Sequence, residues 1–379
     1  MIMARNPARE AQILFEKGNQ CLAARQFEEA IAYLDDSLNL NTENAEAWGC
    51  RGLALGHLKQ YHGALVSFEK SLTLDPNDLR VWLNRGILLA EMEQHEKAIS
   101  SFDQVILRKP DHYEAWGNRA TSLIQLNRNS EAIGCYDRAL KINPSYYKAW
   151  SNRGNALVNV GRLKAAILSF NKALSLQPDD PEVWYNKGCV YLAMENYEKA
   201  VAAYDKAIEI QPNHGNAWLN KGVALSGLNQ RIEELVCYDK AIEIDPNDTH
   251  AWNNRGLALR QMGETQAAIA AYDQALQCDP KNYEAWDNRG YAFIKLGQYQ
   301  EALTSLEKAL KVKPNHANSL YNKGYCYACQ DKIILAIDYI AQAIQLNPQK
   351  YLPAAKTDPD LEKLRQNKQF QAILRGSVI

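Results

Sequence analysis

The sequence predicts an all-α solenoid, and three columns of residues carry that expectation. The eight tryptophans, Trp48, Trp82, Trp116, Trp150, Trp184, Trp218, Trp252 and Trp286, stand 34 residues apart at every interval. Nine of the 13 prolines share a second phase, from Pro76 through Pro110, Pro144, Pro178, Pro212, Pro246, Pro280 and Pro314 to Pro348. Glycine stands four residues after the Trp site at Gly18, Gly52, Gly86, Gly154, Gly188, Gly222, Gly256, Gly290 and Gly324, with the equally small Ala120 in the one gap. A fixed period of this length marks stacked supersecondary units sharing a continuous core. Length alone, at 379 residues, would otherwise suggest two or three ordinary domains.

The period cuts residues 11–350 into ten units of 34 without insertion: 11–44, 45–78, 79–112, 113–146, 147–180, 181–214, 215–248, 249–282, 283–316 and 317–350. Residues 1–10 form a lead-in and 351–379 a closing segment. Each unit reads as two helices. In 181–214, Val183, Trp184, Gly188, Tyr191 and Leu192 recur at helical spacing, followed by Ala200, Val201, Tyr204, Ala207, Ile208 and Ile210. Gln211-Pro212 ends the second helix, because proline lacks the amide donor and restricts the residue before it. Asp111 and Asp179, three residues before Glu114 and Glu182, read as caps for the next first helix. Glycine inside a helix costs roughly 1 kcal/mol relative to alanine. Its recurrence therefore implies a close neighbour, as do the second-helix alanines Ala64, Ala98, Ala166 and Ala200.

The run Trp-x-x-x-Gly-x-x-Leu/Tyr, then Ala, Phe/Tyr, Ala and Pro resembles the tetratricopeptide repeat family over all ten units. One departure is systematic. The family's usual Leu before the Gly is Arg or Lys here, from Lys17 to Lys323. The resemblance implies helix pairs wound into a right-handed superhelix of more than one turn, with first helices lining a concave groove. The Asn-Arg-Gly runs and the tail are similar to those of bacterial members.

The end units are atypical, as stacks require at their termini. Leu14 and Thr42 replace Trp and Pro in the first, and Leu320 and Ile340 replace the aromatics in the last. Asn6-Pro7 offers a cap and first-turn proline for the first helix. Beyond 350, Asp358-Pro359 followed by Leu361, Leu364, Phe370, Ile373 and Leu374 reads as one or two short helices covering the last apolar face.

On a helical wheel the residue two after Trp points away from the Trp–Gly face. That column holds Glu16 and Cys50, then Asn84, Asn118, Asn152, Asn186, Asn220, Asn254, Asn288 and Asn322. Helix propensity does not favour Asn, whereas its amide can match the backbone of an extended chain. A similar asparagine ladder in the tetratricopeptide part of O-linked N-acetylglucosamine transferase holds substrate backbone, so the resemblance implies peptide binding at these eight positions. The other reading is that each Asn only bridges adjacent first helices or caps local structure. Two hydrogen bonds per Asn contribute about 1–3 kcal/mol net, while ordering each peptide residue costs roughly 1–2 kcal/mol. The ladder sets register, and affinity must come from side-chain contacts, for which Leu83, Tyr185, Leu219, Tyr291, Tyr321 and Tyr325 are the candidates. Charged groove neighbours, Asp287 among them, are of mixed sign. The site just after Trp, where some family members grip a C-terminal carboxylate with Lys, has no Lys.

The Arg/Lys column reads as structural, pairing with second-helix acids as in Arg85–Asp103 or equivalents within or between units. Cys326-x-x-Cys329 lies in a helix without a second pair or nearby His, and the eight cysteines read as thiols of a reducing compartment. The seven histidines form no ligand cluster, with His112, His214 and His316 at equivalent turns, and Glu234 in an Ala column reads as a packing irregularity.

Net charge is -1, without the basic stripe nucleic-acid binding needs. No apolar run of membrane-spanning length occurs, and the start lacks a signal core, so a cytoplasmic location is expected. No phosphate loop, dinucleotide fingerprint, nucleophile elbow or zinc signature is present. The expectation is a non-catalytic scaffold binding protein or peptide partners, with no catalytic residue, metal or cofactor. The alternative is a self-assembling or membrane-associated assembly factor.

Overall fold

The computed structural model describes residues 7–376. All regular structure among them is helical, and twenty helices run from Pro7–Ala23 to Ile333–Leu346 as ten consecutive pairs. From the second pair onward the first helices begin at 45, 79, 113, 147, 181, 215, 249, 283 and 317. The opening helix begins earlier, at Pro7, four residues before the 34-residue register; its expected cap, Asn6, lies outside the described residues.

Three contacts explain the sequence columns. The Trp indole N–H donates to the carbonyl six residues back, at 2.8 Å on Thr42 for Trp48 and 2.9 Å on Pro76 and Pro144 for Trp82 and Trp150. This ties each first helix to the turn before it. The glycine accommodates the second-helix aromatic. A Cβ on Gly154 would stand 2.4 Å from the Phe170 ring, and one on Gly222 2.5 Å from Tyr238. The second-helix alanines Ala64, Ala98, Ala166 and Ala200 are fully buried, leaving room for the facing helix.

Caps and turns are supplied locally. The Asn44, Asp78, Asp248 and Asn282 side chains accept backbone N–H bonds at the starts of their helices. Two expected caps move by one residue: His112 rather than Asp111 caps Tyr113–Gln125, and Asp180 rather than Asp179 accepts from Glu182 and Val183. Pro181 then occupies the first turn, where its missing N–H leaves nothing unsatisfied. Between the helices of all ten pairs one residue has positive φ, as at Lys59 (59°), Asn127 (58°) and Gly263 (87°). This left-handed residue ends the first helix.

The chain divides into two compact units, Met1–Val183 and Trp184–Ile379. In the N-terminal unit, neighbouring pairs share small apolar clusters, such as Leu55, Phe68, Leu72, Val81 and Leu88. In the C-terminal unit the largest cluster joins Phe293, Leu306, Tyr325, Ile340, Tyr351, Leu364 and Phe370. It includes the closing segment, which is longer and more broken than one or two helices. Pro348 both follows the last paired helix and starts Pro348–Thr357, capped by Asn347, and Pro359–Leu361, Glu362–Arg365 and Lys368–Leu374 follow.

Candidate functional site

The asparagine column lies on first helices, and its members divide by environment. In the N-terminal unit Asn84, Asn118 and Asn152 are half-buried, as are Asn186, Asn220, Asn254 and Asn288 in the C-terminal unit. Among the described residues, the amides of Asn84, Asn118, Asn186 and Asn254 make no side-chain hydrogen bond. Asn220 Nδ2 donates to Tyr185 Oη at 3.1 Å, and Asn288 Nδ2 donates to Asn253 Oδ1 at 3.0 Å. Both partners sit 35 residues back, on the preceding first helix. The bridge between first helices is therefore real at these rungs. Asn288 uses one N–H and leaves its amide carbonyl and a second N–H, whereas Asn220 Nδ2 also donates to Cys189 Sγ at 3.6 Å.

Asn322 departs from the expectation. It is 7% exposed, and its Nδ2 donates to Asp287 Oδ1 at 3.0 Å. Tyr321 and Tyr325 are buried as well. Tyr321 stacks on Tyr351, with ring centroids 5.0 Å apart, and the Tyr325 hydroxyl donates to Asp360. The closing segment thus covers Tyr321 and Tyr325, and Asn322 is buried against Asp287, which corrects the placement of all three as open groove contacts. Burial and the Asp360 contact hold the Tyr325 hydroxyl well above its ordinary pKa. Asp287 is also withdrawn from solvent at 2% exposure, held by Asn322 and by Asn318 Nδ2 at 2.5 Å.

The remaining side-chain candidates are half-buried: Leu83, Tyr185, Leu219 and Tyr291. Tyr185 lies 4.8 Å from the His214 ring, and the Arg260 guanidinium sits 5.0 Å above Tyr291. Arg260 thus presents a cation held against an aromatic face beside the stripe.

The Arg/Lys column has a consistent geometry. Arg153 Nε donates to Asp137 at 2.7 Å, its Nη1 donates to Ser169 Oγ at 2.6 Å, and its guanidinium lies 5.8 Å from the Trp150 ring. Arg51 and Arg289 repeat the pattern with Asp35 and Ser67, and with Asp273 and Ser305. The acid comes from the preceding pair, 16 residues back. The Arg85–Asp103 pairing is accordingly corrected: Asp103 pairs with Arg119 at 2.7 Å, and Arg85 faces Glu69 at 3.5 Å. Where the family's Leu would add apolar contact, the cation links three helices and covers the Trp face.

Glu234, 2% exposed, accepts from Arg231 Nη1 at 2.7 Å and from the Tyr238 hydroxyl at 3.3 Å. Its charge is paired inside the fold. Burial pushes the Cys326 thiol up to about 11 and raises Cys329 also, so both are thiols at neutral pH. Among the described residues no group of three or more His, Cys, Asp or Glu could hold a metal, and no helix is long and apolar enough to cross a membrane.

Two features escaped the sequence reading. Ser122 and His95 border a pocket in the N-terminal unit, and Asp287 is buried rather than groove-facing. Ser122 had a signal: Ala54, Ala156, Ala224, Ala258 and Ala292 fill its column elsewhere.

Stacked pairs with a Trp–Pro tie, a Gly–aromatic contact and a polar stripe on the first helices define a helical-repeat protein. Family models described as tetratricopeptide repeat match residues 45–78 and 181–214, 83–145 and 118–181, 203–234, and 317–350. The chain belongs to the tetratricopeptide repeat family. A model of the CABIN1 N-terminal domain also matches residues 226–328. No curated protein matches the chain. Among solved structures, a tetratricopeptide repeat protein from Parabacteroides merdae is 19% identical with a TM-score of 0.54, covering 67% of this chain and 99% of its own. The APC/C hetero-tetramer Cut9-Hcn1 is 16% identical with a TM-score of 0.51, covering 93% of this chain and 76% of the other. YrrB, described as a tetratricopeptide repeat protein with an unusual peptide-binding site, is 27% identical with a TM-score of 0.43, covering 50% and 97%.

Proposed function

We propose that this protein is a non-catalytic interaction scaffold that holds extended peptide segments along its asparagine stripe, at Asn84, Asn118, Asn152, Asn186, Asn220, Asn254 and Asn288. The observation that carries the reading is the state of these amides. They recur on successive first helices, they are partly open, and four of them have no side-chain hydrogen bond within the described protein. An extended backbone offers donors and acceptors that such amides complement. The bridges at Asn220 and Asn288 tie those two side chains to the preceding first helix, as the structural reading expects, so the amides without a partner carry the proposal. Asn322, Tyr321 and Tyr325 are left out because they are buried. Membership of a repeat family that serves as interaction modules supports the scaffold role at the coarser level.

The test is a pull-down from source lysate identified by mass spectrometry, comparing wild type with Asn186→Ala/Asn220→Ala/Asn254→Ala/Asn288→Ala after circular dichroism shows equal helicity. Partners retained by wild type and lost by the variant are the expected outcome. Identical partner sets would reject the stripe as the binding element.

A further inference from the structure

In the N-terminal unit, helices Leu79–Glu91 and Tyr113–Gln125 border a pocket of about 740 Å³, within the roughly 300–1,000 Å³ of small-ligand sites. Ile87 and Phe102 supply apolar wall, Glu91 and Glu93 supply carboxylates, and His95 and Ser122 line it as well. Ser122 is 1% exposed, and its Oγ has no hydrogen-bond partner. His95 Nδ1 is likewise a buried atom without one. Leaving a buried polar group unpaired is unfavourable. Helix packing does not demand the hydroxyl, because alanine fills the same column in five other repeats. Neither Glu91 nor Glu93 forms an ion pair among the described residues, and no Lys or Arg lines the pocket.

We propose that this pocket takes an arginine side chain of a bound peptide. The inference rests on the peptide-binding reading and adds a preference for a basic residue. The aliphatic stem lies against Ile87 and Phe102. The guanidinium faces Glu91 and Glu93, and its remaining N–H groups reach His95 Nδ1 and Ser122 Oγ. Five donors in a rigid plane suit acceptors spread around a wall better than a single ammonium does. Asn118 also lines the pocket, so the side chain would enter beside a rung that holds the peptide backbone.

The experiment titrates the full chain, labelled at isoleucine methyls, with Nα-acetyl-arginine-N′-methylamide and with its neutral citrulline counterpart. A saturable shift of the Ile87 methyl is expected, with arginine at least tenfold tighter than citrulline. Glu91→Gln/Glu93→Gln should abolish that difference, and both substitutions are at exposed positions. Equal binding of the two probes to wild type, or no saturable shift, overturns the proposal. The probe is a single residue, and the four stripe substitutions lie in the other unit. Loss of arginine binding with the partner set still dependent on the stripe would reject the pocket alone. Arginine binding with an unchanged partner set would reject the stripe alone.

Discussion

At the residue scale the departure that sets this chain apart from its family is the cation before the glycine. Arg153 touches the preceding pair through Asp137, its own second helix through Ser169, and its own Trp150 through the guanidinium face. Asp137 is half-exposed, at 54%, and pairs of that exposure contribute about 0–1 kcal/mol. The packing of the stem over apolar surface therefore decides the outcome of a substitution. Arg153→Leu, which restores the family residue, should stay within about 1 kcal/mol of wild type, and Arg153→Ala should lose about 1–2 kcal/mol. Thermal unfolding of the two variants side by side checks this. Equal losses would show that the polar links, rather than the covered surface, hold the column in place.

At the element scale, one helix start carries a pH response. His316 precedes helix Ala317–Cys329, and its Nδ1 lies 2.7 Å from Ser319 Oγ. Burial lowers its pKa below the ordinary 6.5, opposed by Asp287 and Glu284 and assisted by Lys313 and Lys350. The unfolded chain therefore takes up the proton first. The stabilising contribution is complete above about pH 6.5 and is lost as pH falls through the lowered folded value. Urea midpoints at pH 7.5 and 5.5 should fall more for wild type than for His316→Asn, which places here the residue that caps at Asn282. Equal slopes would remove His316 as the cause. The helix pairs themselves were legible because Trp, Gly and Pro each answer one steric or hydrogen-bond demand per repeat. The turn residue was not. Positive φ falls on Arg25, Lys59, Glu93, Asn127 and Asp331 as well as on glycines, so backbone conformation leaves no residue signature there. The caps slipped by one for a related reason, since Asp179-Asp180 offers two carboxylates and only the backbone chooses between them. The stripe could be read because the period places one residue type on one face. The burial of Tyr321 and Tyr325 could not, because the segment that covers them lies beyond the period.

At the scale of the whole molecule, each repeat depends on its neighbours for its core, so a defect at one end should stay there. The closing segment provides the sharpest case. Phe370 is fully buried in the cluster that joins Tyr325, Ile340, Tyr351 and Leu364. A residue of this kind replaced by alanine loses about 3–5 kcal/mol through lost burial and the cavity left behind. In a globular domain that loss would lower the stability of every element together. Here the helices that contact the segment, Ala317–Cys329 and Ile333–Leu346, have the most to lose. Phe370→Ala should therefore speed amide exchange in those two helices and in Pro348–Thr357, with Tyr321 and Tyr325 becoming accessible. Exchange in Ala45–His57 through Tyr147–Asn159 of the N-terminal unit should keep its wild-type rates. Hydrogen exchange read by mass spectrometry resolves both regions in one experiment. Uniform acceleration along the chain would mean that the molecule unfolds as one cooperative body and that the closing segment stabilises all of it. Local acceleration would make the segment a removable cover over Tyr321 and Tyr325, the two side chains it holds through Tyr351 and Asp360.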